Sequence, residues 1–375
     1  MAALSQRIDF TDEQAMLLET AVAFCREKSG IRAVRNLLGS ETGFDRAVWD
    51  EMVALGWSGI AIPEQHGGSG LSLAEVATIA EPMGRYLLAT PYGSTQIAVQ
   101  ALLAGGTAAQ QAALLPRIAQ GAIASMAAFE ADGDWDLTAM AATASWEGTM
   151  CRLAGAKTLV VDAGVAEVFV VSVLLDGSPA LAIVAAAAVP PGHLRPETII
   201  DETRRSARLE LDGISVAADQ MITGPAALAA LRAVRDTALL LATAEAAGGI
   251  AGVLDVTVDY LNSRSTFGRK IGSYQALKHA CADILVGLER SRSHLYHAAT
   301  LCAGNAAPEI ALRMAKAEAT EVFAYAGDRA VQFHGGFGFT WDCDAQLFLR
   351  RALWLQYSHG DAAHQRQQLA RLLLD

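Results

Sequence analysis

The order of residue patterns along the 375-residue chain is the feature that most constrains its fold. Apolar residues recur at helical spacing through residues 10–120, where Thr11 precedes Gln14 by three positions in a capping-box pattern. Short β-branched runs separated by Gly, Asp and Pro follow, and helical spacing returns from GPAALAALRAVRD onward. Segregated helices and strands predict a mixed α+β assembly and exclude a doubly wound fold, which needs alternating strands and helices.

This order predicts three domains. We place an N-terminal helical domain at residues 1–121, a β domain at residues 122–225 and a C-terminal helical domain at residues 226–375.

Composition excludes several classes of partner. The formal net charge of −11 argues against nucleic acid or an anionic membrane as the main partner, because phosphates need compensating Lys and Arg. The five cysteines are scattered and odd in number, which is typical of reduced thiols in a cytoplasmic protein. The segment MAALSQRIDFTDEQ lacks the apolar core of a secretory signal, and we expect no apolar run long enough to span a membrane.

A lone carboxylate interrupts one long apolar segment. Between Asp236 and Asp255 the only charged residue is Glu245, in the stretch LLLATAEAAGG. A buried carboxylate without a partner has a raised pKa, which suits the abstraction of a proton. The alternative is a buried Glu paired with a distant Arg or Lys. The small Ala and Gly neighbours also favour an open cavity with room for a ligand.

Two glycine-containing turns point to a ligand with phosphates and flat rings. In SRSTFGRKIGSYQ, Arg264, Arg269 and Lys270 supply positive charge and Phe267 could cover an aromatic ring; the alternative is a solvated basic turn. In QFHGGFGFTWD, at residues 332–342, paired glycines allow close approach of the backbone to a ligand; the alternative is a helix C-cap. The histidines lack metal-ligand spacing, so we predict no metal site.

Three stretches together resemble the acyl-CoA dehydrogenase family: RSTFGRKIGSYQALKH, VQFHGGFGF and IAIPEQHGGSGLS. The resemblance covers nearly the whole chain and is nearer to heterotetrameric members that act on steroid side chains than to the medium-chain type. It implies an N-terminal helical domain, a central β-barrel-like domain and a C-terminal four-helix bundle. It also implies an FAD enzyme in which a glutamate removes the α-proton of an acyl-CoA while flavin N5 takes a hydride from the β-carbon.

The resemblance implies partners and cofactor contacts as well. An electron-transfer flavoprotein would accept the electrons, and the chain would form a homodimer, a homotetramer or a heterotetramer with a related subunit. Arg264, Phe267 and Gln275 would contact the diphosphate and adenine side of FAD. Gln332, Gly335 and Gly336 would contact the same cofactor across a dimer interface.

The chain departs from the family at the catalytic base. His359 and Gly360 stand at the E-G positions of the usual Y-E-G-T turn, and Ala238 stands at the alternative base position on the preceding long helix. Glu245 lies seven residues beyond Ala238, close to two helical turns, and so shares its helix face. Glu245 is therefore the predicted catalytic base.

A second departure concerns the β domain. Leu159 and Val161 replace the Trp and Thr that approach flavin in relatives, and Asp361 replaces a Thr in the C-terminal turn. These changes leave two alternatives open beside a self-sufficient dehydrogenase. In the first alternative, the chain is a non-catalytic or half-site partner subunit of a heterotetramer. In the second, it is a flavin oxidase or monooxygenase on the same fold.

Overall fold

The structure is a computed structural model that describes residues 11–304 and 307–374. Residues 1–10, which carry most of the segment used to argue against a secretory signal, lie outside the described residues. The α-helices are α1 (Asp12–Lys28), α2 (Ile31–Leu38), α3 (Arg46–Ala54), α4 (Leu73–Arg85), α5 (Tyr92–Gly105), α6 (Ala108–Ala119), α7 (Gly224–Ser263), α8 (Gln275–Ala303), α9 (Glu309–Phe333), α10 (Ala345–Tyr357) and α11 (Ala362–Leu374).

The strands fall between α6 and α8. They are β1 (Ala124–Ala127), β2 (Thr143–Glu147), β3 (Met150–Ala154), β4 (Ala156–Val161), β5 (Val168–Leu175), β6 (Ser178–Ala185), β7 (Leu194–Glu197), β8 (Ser206–Glu210), β9 (Ser215–Ala217), β10 (Met221–Ile222), β11 (Ser265–Thr266) and β12 (Arg269–Lys270). Helices, then strands, then helices is the predicted order, so the α+β fold class is confirmed.

By contacts the chain divides into two compact units that do not follow chain order. Among the described residues, the first unit contains 11–35, 72–88, 239–304 and 307–374, and the second contains 36–71 and 89–238. The first unit therefore groups α1 and α4 with the C-terminal helices, whereas the three domains predicted from the sequence are consecutive stretches.

The second unit holds the two main sheets. One has seven strands in the order β10-β6-β5-β2-β3-β9, with β1 also paired to β5, and the other has three strands in the order β4-β8-β7. Strand β5 pairs with β1, β2 and β6, and its first six residues are buried, which explains its nearly continuous apolar sequence.

The first unit is mainly helical and also contains the short β11–β12 hairpin. Helices α8 and α9 pack along each other, α10 and α11 pack against α9, and α4 packs against α8. By length and composition α7 is long and apolar enough to cross a membrane, so the expectation that no segment would be is wrong. In the protein, 94% of the most apolar window of α7 is buried, as is usual for a core helix.

Candidate active site

Glu245 lies in the middle of α7, in the first unit, with 7% of its surface exposed. Its Oε2 atom accepts a hydrogen bond of 3.0 Å from Nη1 of Arg351, a completely buried residue of α10. Of the two alternatives that the sequence leaves open, the structure therefore shows the pairing with a distant arginine. The catalytic role of Glu245 stays a prediction.

Gly248, three residues after Glu245, lies where helix α7 crosses close to helix α4. A Cβ atom at Gly248 would lie 1.8 Å from the carbonyl oxygen of Glu81 in α4, and a Cβ at Gly84 would lie 2.0 Å from the carbonyl oxygen of Glu245. Each glutamate stands three residues before its glycine, so the E-x-x-G pattern of one helix meets the same pattern of the other. Backbone therefore touches backbone beside Glu245.

The other glycines of this segment are also in close contact. A Cβ at Gly249 would lie 2.2 Å from the ring of Phe323, and a Cβ at Gly252 would lie 2.3 Å from the carbonyl oxygen of Arg85. The expectation of an open cavity is wrong at these glycines, because side chains and the α4 backbone fill the space that their missing side chains leave.

Sequence reasoning missed a second buried carboxylate at this crossing. Glu81 is buried, and its two oxygens accept hydrogen bonds from Nε of Arg292 at 2.8 Å and from the hydroxyl of Tyr296 at 2.7 Å. Burial and the negative charge of Glu81 raise the pKa of Tyr296 above its usual range. The shared E-x-x-G spacing was the available signal for Glu81.

The first glycine turn is a short hairpin between α7 and α8. Strands β11 and β12 pair, and Phe267 (φ 54°) and Gly268 (φ 80°) form the tip, where the Phe267 side chain is 91% exposed. Lys270 Nζ donates a hydrogen bond of 2.6 Å to the carbonyl oxygen of Ser263 at the end of α7. The Arg269 guanidinium lies 4.0 Å from the ring centroid of Tyr274.

Two of the three basic residues thus have local partners. Arg264 is exposed beside the hairpin, where its own carbonyl oxygen accepts from the backbone N–H of Ile271 at 3.0 Å. Gln275 is exposed as the first residue of α8.

The second glycine turn follows α9. Gly335 has a left-handed backbone (φ 60°) directly after the C-cap residue His334, which is the helix-cap arrangement considered from the sequence. Gln332, Gly335 and Gly336 are exposed, and among the described residues no heavy atom outside the immediate chain lies within 4 Å of a Cβ placed on either glycine.

An aromatic stack joins the end of α7 to this second turn. The Tyr260 ring lies 4.1 Å from the ring of His334 and 6.3 Å from the ring of Phe337, measured between centroids. Nδ1 of His334 lies 2.7 Å from the carbonyl oxygen of Ala330, which fixes that nitrogen as the donor. Tyr260 lies in the last turn of α7, three residues before the first turn begins, so the two turns belong to one region of a single chain.

The turn after α10 contains the residues at the family's usual base position. His359 is half-buried with a left-handed backbone (φ 57°), which is uncommon for a residue other than glycine. In the same turn, Nζ of the fully buried Lys316 of α9 donates hydrogen bonds to the carbonyl oxygens of Gly360 at 3.0 Å and Gln356 at 3.3 Å. Asp361 accepts from the backbone N–H of His364 and so caps α11.

Burial controls the charges in this turn. It lowers the pKa of Lys316 to about 7, against the opposing effect of Asp361. Burial and the nearby charge of Lys316 lower the pKa of His359 to about 3. The imidazole is therefore neutral at pH 7.

Two sequence models match the chain. The C-terminal domain of acyl-CoA dehydrogenase matches residues 230–374, and the N-terminal domain of acyl-CoA dehydrogenase matches residues 11–122. The acyl-CoA dehydrogenase IpdE2 of Mycobacterium tuberculosis is 30% identical over 360 residues, which cover 94% of this chain and 92% of that protein. The chain belongs to the acyl-CoA dehydrogenase family.

Solved structures of the family have the same fold. A variant of the Tcur3481–Tcur3483 steroid ACAD aligns with a TM-score of 0.87 and 29% identity, covering 96% of this chain and 98% of that one. The ChsE4–ChsE5 complex of Mycobacterium tuberculosis aligns with a TM-score of 0.89 and 25% identity, covering 99% of both chains. The chain is accordingly an oxidoreductase that acts on CH–CH bonds, with FAD as its cofactor.

The turns of this acyl-CoA dehydrogenase fit a dinucleotide cofactor. Gly335 and Gly336 leave open space beside their backbone, and the Phe267 ring is exposed at a hairpin tip next to Arg264. A glycine backbone suits a diphosphate, an exposed ring suits stacking on a flat heterocycle, and a guanidinium suits an anion. The described residues at both turns therefore suit FAD.

The β4 segment of the second unit, unlike the two turns, has its polar donors engaged within the chain. The pairing register between β4 and β8 shifts between Lys157 and Val160, and Leu159 at this irregularity has a left-handed backbone (φ 52°). Glu197 accepts from the backbone N–H of Leu159 at 2.8 Å and from the hydroxyl of Thr158. The polar donors at this point of β4 are thus held by a carboxylate of the same chain.

Proposed function

We propose that this chain catalyses the α,β-dehydrogenation of an acyl-CoA with Glu245 as the base. The observation that supports the proposal is the place of Glu245: it is a buried carboxylate in the apolar helix α7, on the same helix face as Ala238. The residue at the usual base position, His359, has a pKa lowered to about 3 by burial and by Lys316, so it is a weak base.

The reaction divides between protein and cofactor. FAD, when bound, would supply the acceptor for the hydride that leaves the β-carbon of the acyl chain. Glu245 takes the proton from the α-carbon, and the electron pair of that C–H bond becomes the new double bond, giving an enoyl-CoA. Arg351 supplies the buried counter-charge of the carboxylate before proton transfer and fixes its orientation.

The cofactor is proposed to lie on the two turns. Arg264 and Gln275 would hold the diphosphate side, and Phe267 would stack on the adenine. Gln332, Gly335 and Gly336 would contact the same cofactor across a dimer interface. We further propose that an electron-transfer flavoprotein in the cytoplasm reoxidises the flavin.

A second candidate is a half-site subunit that shares FAD with a related chain. It is favoured by the β4 segment, where Glu197 holds the donors of Thr158 and Leu159. The similarity to the ChsE4–ChsE5 complex agrees with a heteromeric arrangement.

The absorption spectrum of the chain purified alone separates the two candidates. A flavin band at stoichiometric occupancy supports a self-sufficient enzyme, whereas a colourless chain that gains flavin only with a related subunit supports the half-site.

The base is tested with Glu245→Gln in whichever assembly binds flavin. We expect exchange of α-hydrogens of straight-chain, branched and cyclic acyl-CoAs with D₂O to fall by about a thousandfold or more, with flavin content unchanged. Glu81→Gln is the matched control, since Glu81 is a buried carboxylate at the same crossing that is held by Arg292 and Tyr296. Unchanged exchange in Glu245→Gln would refute the role of Glu245.

A further inference from the structure

We propose that Gly84 is a positioning residue for Glu245. The contact that only glycine permits here fixes where the Glu245 carboxylate lies relative to Arg351. The catalytic consequence rests on the proposed function, whereas the geometric claim concerns the ion pair alone.

The contact is closer than any side chain allows. A Cβ at Gly84 would lie 2.0 Å from the carbonyl oxygen of Glu245 and 2.7 Å from its Cα. The contacting atoms are backbone, so they cannot rotate away as a flexible side chain would. A methyl group at Gly84 must therefore separate α4 from α7 at the residue that carries the carboxylate.

Helix α4 is held against such a movement. Glu81, one turn before Gly84, is tied to Arg292 and Tyr296 of α8. Arg85, the next residue after Gly84, pairs with Asp255 of α7 at 2.7 Å. Because the buried Glu81 holds α4 to α8 one turn away, part of the displacement falls on the α7 backbone at Glu245.

Arg351 is poorly placed to follow a displaced carboxylate. It is completely buried in α10, and its Nη1 already lies at hydrogen-bond distance from Glu245. The strength of a charge-assisted hydrogen bond falls steeply with distance and misalignment. A shift of the α7 backbone therefore weakens this pair.

The experiment measures the coupling between Glu245 and Arg351 in different backgrounds. A double-mutant cycle with Glu245→Gln and Arg351→Met is followed by urea unfolding at fixed protein concentration. It is made in the natural chain and in the Gly84→Ala background. We expect the coupling factor in the unfolding equilibrium constant to fall by about threefold or more in Gly84→Ala.

Gly252→Ala is the matched control. Gly252 lies in the same crossing, and its Cβ would lie 2.3 Å from the carbonyl oxygen of Arg85, yet it is seven residues from Glu245. We expect Gly252→Ala to destabilise the protein without changing the coupling. Equal coupling in all three backgrounds, or an equal loss in both glycine variants, would overturn the proposal.

Turnover supplies a second readout. Gly84→Ala is expected to lower kcat for an acyl-CoA by about tenfold to a hundredfold and to leave KM within about twofold, because the base is displaced while the rest of the site is kept. Gly252→Ala should keep kcat within about twofold of the natural value. If Glu245→Gln retains turnover while Gly84→Ala weakens the coupling, the proposed base fails and the positioning stands.

A second variant covers the case in which Gly84→Ala does not fold. Pro82 lies inside α4 between Glu81 and Gly84 and lacks the N–H of a regular helix. Pro82→Ala adds no bulk and restores a backbone N–H inside α4, so we expect it to shift the α4 backbone at the crossing. We expect it to reduce the coupling by about twofold or more, and an unchanged coupling would overturn the proposal.

Discussion

Nη1 of Arg351 lies 3.0 Å from Oε2 of Glu245, although the two residues are 106 positions apart in the sequence. Arg351→Met removes the counter-charge and leaves a buried carboxylate without it. We expect the free energy of unfolding to fall by about 3–5 kcal/mol, measured by urea unfolding.

The control for this prediction is an exposed pair. Arg366 pairs with Glu321, and both side chains are largely exposed. Since solvent screens such pairs, Arg366→Met should reduce the free energy of unfolding by at most about 1 kcal/mol. Similar losses in Arg351→Met and Arg366→Met would contradict the view that burial makes the Glu245 pair important.

The fold class could be predicted because its signals are local. The capping box at Thr11 and Gln14 forms as predicted, and the β-branched run of β5 becomes a strand buried at the centre of its sheet. Such patterns depend on residues a few positions apart, so the sequence displays them directly.

The surroundings of Glu245 could not be predicted in the same way. Arg350 and Arg351 are adjacent, and no local pattern tells which of them turns inward to meet α7. The glycines after Glu245 were equally ambiguous. An absent side chain leaves room either for a ligand or for another helix, and only the packing of α4 decides between the two.

Lys316 should make the free energy of unfolding depend on pH in the alkaline range. Its pKa in the folded protein is about 7 because of burial, whereas the ordinary value is 10.5. Between these values the unfolded chain holds a proton that the folded chain has released. The free energy of unfolding therefore rises with pH from about 7 to about 10.5, by at most about 1.4 kcal/mol per pH unit.

Lys316→Met should remove this contribution. The measurement is the urea midpoint of the natural and variant chains from pH 7 to pH 10. The difference between the two pH profiles removes the contribution of the other titrating groups. Parallel profiles for the two chains would show that Lys316 keeps its ordinary proton affinity in the folded protein.

His359 should make the free energy of unfolding depend on pH in the acidic range. Burial and Lys316 lower its pKa from 6.5 to about 3, so the unfolded chain binds a proton between these values that the folded chain does not. Stability from this residue is present above pH 6.5 and is lost as pH falls towards about 3. His359→Asn removes the titration and suits a left-handed backbone, so its unfolding midpoint should fall less between pH 6.5 and pH 4.

The Phe267 ring should matter for cofactor binding far more than for stability. Because its side chain is 91% exposed at the hairpin tip, Phe267→Ala should change the free energy of unfolding of the flavin-free protein by at most about 0.5 kcal/mol. Loss of stacking on adenine, worth about 1–3 kcal/mol, should raise the Kd for FAD by roughly fivefold to a hundredfold in a fluorescence titration. Phe339→Ala is the control, since that ring is 88% exposed within the second turn and is not among the predicted contacts. An equal rise in Kd for both variants would contradict a specific contact between Phe267 and the cofactor.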